Sequence, residues 1–332
     1  MSNPRRQCAK CPWKTSTSPL DIPGGYAATN KQTKESIMRL ERPHPYVGVS
    51  GITTPEQARA LLDMWPATAP PQSLMLGVLT SQKVMGGGER NARSPAPKNF
   101  ARIFQEDPRV LGLVHYFTKD PLTLGNQLLN ATALAGMMCH GAQINVPWPP
   151  PEQIKVFRDF GDYERVVLQV GPKMLSYYHH TLVAEVIDRE YHGLITDVLI
   201  DVSAGERVPI DPTRAREMVE SMRARNPNIG IGFAGGLCAE TLPAFSELLA
   251  WHEVEYGMCD RCRNEPDVGG QIEEEIPVAK LENGWICKRC HARDIGPLSI
   301  DAEGRLRNDR DELDLEKVRA YLCAAANLWS WA

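Results

Sequence analysis

The chain has 332 residues, 42% of them hydrophobic and 23% charged, with a formal net charge of −4. That is the make-up of one large or two ordinary globular domains. The slight negative balance gives no global pull towards nucleic acid or an anionic membrane, and no apolar run reaches the roughly 18 residues that a bilayer span needs.

Residues 1–45 form an arm without sustained hydrophobic periodicity, carrying Cys8-Ala-Lys-Cys11-Pro12-Trp13. Residues 1–42 hold eight basic and three acidic side chains, so the arm is locally positive. No apolar segment follows its first charges, so a secretory leader is not expected and the cytoplasm is the expected location. In that reducing setting Cys-x-x-Cys pairs point to metal rather than disulfides.

From Tyr46 the pattern changes. Tyr46 to Ile52 reads as a buried strand, followed by Thr54 as N-cap, Pro55 at the first helical position and Gln57 completing a capping box. Ala58, Leu61, Leu62 and Trp65 share one face of the helix that follows. Further strand-like runs are 73–80, 111–117, 142–146, 165–170, 197–202, 229–234 and 297–301. Helix-like stretches follow them at 99–105, 122–134, 151–160, 176–190, 212–225, 239–251 and 315–325. Strands alternating with helices imply a parallel sheet buried on both faces. Eight such units predict an α/β fold closed into a (β/α)8 barrel, the TIM-barrel architecture. No Gly-x-Gly-x-x-Gly follows the first strand, against a dinucleotide site.

One segment breaks the rhythm before the eighth strand. Residues 254–293 carry Cys259-x-x-Cys262 and Cys287-x-x-Cys290, separated by 24 residues. Two such knuckles predict a small zinc ribbon whose four thiolates hold a structural Zn2+, with no open position for catalysis. The expected domains are therefore the arm 1–45, a barrel from 46–253 and 294–332, and the zinc-ribbon insertion 254–293. The ribbon has six basic and eight acidic side chains, a balance that does not favour nucleic acid.

Barrel sites lie at the C-terminal strand ends. Those ends read Ser50-Gly51, Ser81-Gln82-Lys83, Thr118-Lys119, Asn145, Gln169, Asp201 to Gly205, Gly235-Gly236 and Asp301 to Arg305. This polar, glycine-rich set suits a small anionic ligand, with Gly235-Gly236 opening into a helix whose free N–H groups favour phosphate.

In their order along the chain, "VGVSGITTPEQA", "SQKV", "AQINVPWPPPEQI", "DVLIDVSAGERVPID", "GFAGGLCAETL" and "LSIDAEGRLRNDRDELDLEKVRAYL" resemble the motifs of phosphoribosylanthranilate isomerase, a sugar-phosphate barrel. The similarity covers 46–253 and 297–325. It implies an Amadori rearrangement of a phosphoribosylamine, with Asp201 as the acid and Ser50 where the family has its cysteine base. It also implies substrate contacts from Lys83, which replaces an arginine, and from Asn145, and a phosphate cradle at Gly205, Gly235, Gly236, Gly304 and Arg305. A serine is a far weaker base than a thiolate, and no histidine adjoins Ser50 in sequence. The expectation is thus a phosphorylated sugar or nucleotide-like substrate, handled by acid/base chemistry that departs from the family's. The alternatives are a nucleotide- or base-modifying transferase using the ribbon, and a non-catalytic phosphate-binding barrel.

Residues 83–98, basic and glycine-rich, are expected to form a lid. His115 reads as a satisfied interior residue and Tyr177 to His180 as a helix surface. Cys139, Cys238 and Cys323 read as small buried hydrophobes. The arm's Cys-x-x-Cys-Pro-Trp faintly resembles short cysteine modules of bacteriophage and actinobacterial proteins; Cys8 and Cys11 are expected to be a half-degenerate metal site or a remnant rather than a working one.

Overall fold

A computed structural model describes residues 44–66, 72–201, 211–256 and 296–328. The arm with Cys8 and Cys11, Gly205, and the expected zinc ribbon with Cys259, Cys262, Cys287 and Cys290 lie outside the described residues. No helix among the described residues is long and apolar enough to cross a membrane.

The strands are β1 (Tyr46–Ser50), β2 (Ser73–Ser81), β3 (Val110–Phe117), β4 (Gly141–Ile144), β5 (Arg165–Val170), β6 (Asp197–Asp201), β7 (Gly230–Ala234) and β8 (Leu298–Ala302). They pair in chain order, all parallel, and β8 closes on β1. The expected barrel is therefore observed. Outward residues such as Val47, Leu76, Val114, Leu168 and Ile231 pack against the helices, while Tyr46, Met75, Leu113, Val167 and Leu199 fill the interior. Apolar demand on both faces explains the absence of strict alternation in the strands.

The principal helices are α1 (Pro55–Met64), α2 (Gln82–Met85), α3 (Phe100–Ile103), α4 (Leu124–Ala135), α5 (Pro151–Phe160), α6 (Pro172–Tyr177), α7 (His180–Tyr191), α8 (Pro212–Arg225), α9 (Leu242–Tyr256) and α10 (Leu315–Leu328). The capping box at Thr54 and Gln57 is formed. The helix expected over 176–190 is instead two, α6 and α7, because Tyr178 and His179 adopt extended backbone. The Tyr178 ring meets Trp148 edge-on with centroids 5.8 Å apart, which accompanies that break. The helix expected over 99–105 shrinks to α3, since Phe104 turns extended and buries its ring. Cys139 and Cys238 are buried as expected, but Cys323 is exposed on the outer face of α10.

The N-terminal floor of the barrel is ionic. Arg165 Nη1 lies 3.0 Å from Asp197 Oδ2, and the Arg165 guanidinium also donates to the His44 carbonyl and lies over the Tyr46 ring. Thr196 Oγ1 donates to Asp197 at 2.6 Å. Both ends of the ion pair are thus held by further contacts, as a pair buried in low dielectric requires.

Candidate active site

The β1–α1 junction is a turn built around an arginine. Gly51 has φ +80°, and a Cβ there would stand 1.8 Å from Arg307 Nη2. Through that gap the Arg307 guanidinium donates to the Ser50 carbonyl (3.2 Å), the Gly51 carbonyl (2.9 Å) and the Asp311 carbonyl (2.9 Å). Arg307 is 2% exposed, so this contact anchors the strand end that presents Ser50.

Above the apolar interior, the inward positions become polar. Ser50 Oγ donates to Asp301 Oδ1 at 2.7 Å and lies 3.4 Å from His115 Nδ1. Gln143 Nε2 donates to Gln169 Oε1 at 3.2 Å, and Gln169 Nε2 donates to Asp201 Oδ2 at 2.9 Å. Two hydrogen-bonded arcs, each ending on an aspartate carboxyl group, thus line the C-terminal mouth. Gly77 makes the first arc possible, because a Cβ there would sit 2.6 Å from Ser50 Oγ and 2.8 Å from His115 Nε2.

A cavity of about 790 Å³ opens over these arcs, lined among others by His115, Gln143, Asp201, Gly235, Gly236 and Asp301. Asp201 and Gly235 therefore share one mouth. Gly235 (φ +101°) and Gly236 (φ +63°) occupy the left-handed region that favours glycine. Thr241 Oγ1 ties their turn to α9 by donating to the Gly236 carbonyl at 2.9 Å.

Burial pushes the Asp301 carboxyl up from its ordinary 3.8 to about 8, and the charges of Glu303 and Asp201 push the same way against the Ser50 hydroxyl. Asp301 is therefore protonated at neutral pH, and a neutral carboxylic acid can donate a proton. Burial also drives His115 down from 6.5 to about 3, so its imidazole is neutral throughout the working range.

The residues expected at the site divide as follows. Ser50, Lys83, Asn145, Asp201, Gly235, Gly236 and Gly304 are brought to the cavity, with Ser50 buried beneath it. Lys83, on α2, is exposed, its amine 4.0 Å from Glu89. Arg305 is exposed and outside the cavity lining; Arg90 and Arg93 line the cavity, and Arg307 anchors the strand end beneath it. Residues Lys83, Glu89 and Arg90 of the expected lid form one wall. Arg93 holds that segment to the β8 loop, with contacts of 2.7 Å to Glu303 and 2.7 Å to Asp311.

The sequence placed Asp301 among the polar strand ends but gave it no role, and His115 read as a satisfied interior residue. The histidine near Ser50 comes from β3 and not from an adjacent residue. The inward parity of β1, β3 and β8 carried the signal, but only the barrel's register shows that these positions stand at one height. Among the described residues no group of three or more His, Cys, Asp and Glu is placed to hold a metal.

No protein-family model matches the sequence, and no curated protein matches it. Solved structures similar to the chain include the catalytic domain of a hyperthermophilic chitinase from Pyrococcus furiosus. There the identity is 8% and the TM-score 0.48, over 87% of this chain and 97% of that one. Pyruvate carboxylase from Rhizobium etli is similar at 9% identity and a TM-score of 0.46, covering 95% of this chain. The chain spans 31% of the length of that carboxylase.

Proposed function

We propose that this barrel is an acid/base enzyme that moves a proton on a small phosphorylated sugar-like substrate, a divergent relation of phosphoribosylanthranilate isomerase. The observation that carries the reading is that Asp201 and Asp301 face one cavity from different electrostatic settings. Asp301 holds its proton at neutral pH, whereas Asp201 receives the Gln169 N–H. Asp301 then supplies the donor, and Asp201, fixed by the Gln169 N–H, supplies the acceptor.

The isomerase resemblance gives the acid role to Asp201. The raised affinity of Asp301 for its proton supports giving that role to Asp301, and proton acceptance to Asp201. In an Amadori-type rearrangement Asp301 passes its proton to the sugar ring oxygen, and the bond from that oxygen to C1 breaks to leave an iminium. Asp201 removes the proton on C2, and the electron pair of that C–H bond neutralises the iminium to give an enaminol. The enaminol becomes the ketone when C1 is reprotonated and the hydroxyl proton leaves. Ser50, locked between Asp301 and His115, orients Asp301 in this scheme rather than acting as the base. Gly235, Gly236 and Gly304 line the same mouth and suit the phosphate, whose oxygens accept from backbone N–H groups. Zn2+ in the ribbon and Gly205 in the cradle remain part of the proposal as structural ligand set and phosphate contact.

The test is solvent deuterium incorporation at C1 of the ketone product when a phosphoribosylamine is incubated with the protein in heavy water. Incorporation by wild type that is lost in both Asp201→Asn and Asp301→Asn is the expected result. Incorporation that survives both substitutions overturns the reading, as does its absence in wild type.

A further inference from the structure

Two buried polar atoms on residues of the cavity wall have no hydrogen-bond partner: His115 Nε2 and Gln143 Oε1. Their residues are direct register partners on β3 and β4. The hydrogen-bond arcs set the polarity of Gln143, and the Ser50 bond to Asp301 bears on that of His115. A carboxylate only accepts, so Asp201 orients the Gln169 amide with N–H towards itself and Oε1 towards Gln143. Gln143 must then spend its own N–H on Gln169, which leaves its carbonyl oxygen facing away from that bond. On the other arc, the Ser50 hydroxyl proton is committed to Asp301. With that proton on Asp301, a lone pair of Ser50 faces His115, and the imidazole tautomer protonated at Nδ1 leaves Nε2 bare.

We propose that His115 and Gln143 form a paired acceptor that selects substrates presenting two neighbouring hydrogen-bond donors, namely the vicinal diol of a sugar. The substrate class rests on the phosphorylated-sugar reading above; the two unpartnered atoms are an observation independent of it. Buried polar groups in a native protein are nearly always paired, and an unpaired acceptor penalises any ligand that cannot satisfy it. A site of this kind rejects an analogue lacking the hydroxyl far more strongly than an apolar pocket rejects a missing methylene. His115 keeps its acceptor character across the working pH range, because burial holds the ring neutral. The pair also makes His115 a specificity-determining residue, positioned through Ser50 by Asp301.

Binding to the full chain is measured by calorimetry with three probes: ribose 5-phosphate, 2-deoxyribose 5-phosphate and inorganic phosphate. The expected order has ribose 5-phosphate tighter than the deoxy sugar by about 100-fold or more, as for sites built to accept from a hydroxyl. His115→Leu and Gln143→Leu should each collapse that ratio, with the melting temperature of the free protein no lower than wild type. A merely structural role would lower stability and leave the ratio standing. Equal affinity of wild type for the two sugars overturns the acceptor pair while leaving the phosphorylated-sugar reading intact, and needs no variant. Failure of all three probes to bind overturns both.

Discussion

Replacing Asp301 by Asn should make the protein more stable at neutral pH and leave it inactive. The folded carboxyl has its affinity for a proton raised from 3.8 to about 8. Between those values the folded state holds a proton that the unfolded chain has released, so stability falls as pH rises. Each unit is worth about 1.4 kcal/mol. At pH 7 the burden is therefore roughly 4 kcal/mol, and it vanishes below about pH 4. Asn presents an oxygen to accept from Ser50 and an amide in place of the acid proton, without the ionisation. His115 and His252, both depressed to about 3 by burial, act in the opposite sense and cost stability as pH falls below 6.5. The difference between variant and wild type cancels their contribution. Urea unfolding at a series of pH values should show equal stability near pH 4 and a variant advantage of about 4 kcal/mol at pH 7. In thermal melts that is roughly 8 °C for a domain of this size. A flat difference curve, or an Asn variant less stable at pH 8, refutes the raised affinity and with it the acid role.

Three further outcomes are expected. Gly77→Ala pushes a methyl group to within 2.6 Å of Ser50 Oγ and should cost about 1–3 kcal/mol, with activity falling further than stability does; denaturant midpoints and turnover read the two effects separately. Asp197→Asn leaves Arg165 buried without its counter-charge and should cost about 3–5 kcal/mol in urea unfolding, while the pH dependence attributed to Asp301 persists. Arg93→Met frees the 83–98 segment from Glu303 and Asp311, and should raise KM and the rate of protease nicking between 83 and 98 while changing global stability by about 1 kcal/mol or less; unchanged nicking would show that the ion pairs do not hold that wall.

The barrel was legible because each β/α unit carried its own local signals: apolar runs of strand length, Thr54 with Gln57, and Pro residues opening α1, α5 and α8. The glycine rim was legible for the same reason, since Gly235-Gly236 sits at a strand end and needs no partner to be noticed. The polar arcs were not. Ser50, His115 and Asp301 are brought together by closure of β8 on β1 and by the height at which β3 stands beside β2, quantities that belong to the register and not to any one segment. Arg307 was hidden likewise: it lies beyond its strand, and its place was vacated by a glycine at the other end of the chain. The break at Tyr178 and His179 is accompanied by a ring contact with Trp148, which no window over α6 and α7 contains.

The account stands most directly on the protonation state of Asp301. Infrared difference spectra between wild type and Asp301→Asn, with carboxyl groups carbon-13 labelled, report it at that one residue. A protonated-carboxyl stretch present in wild type at pH 7, absent from the variant and titrating away near pH 8, is the predicted result. A wild-type spectrum showing only an ionised carboxylate at pH 7 would contradict it.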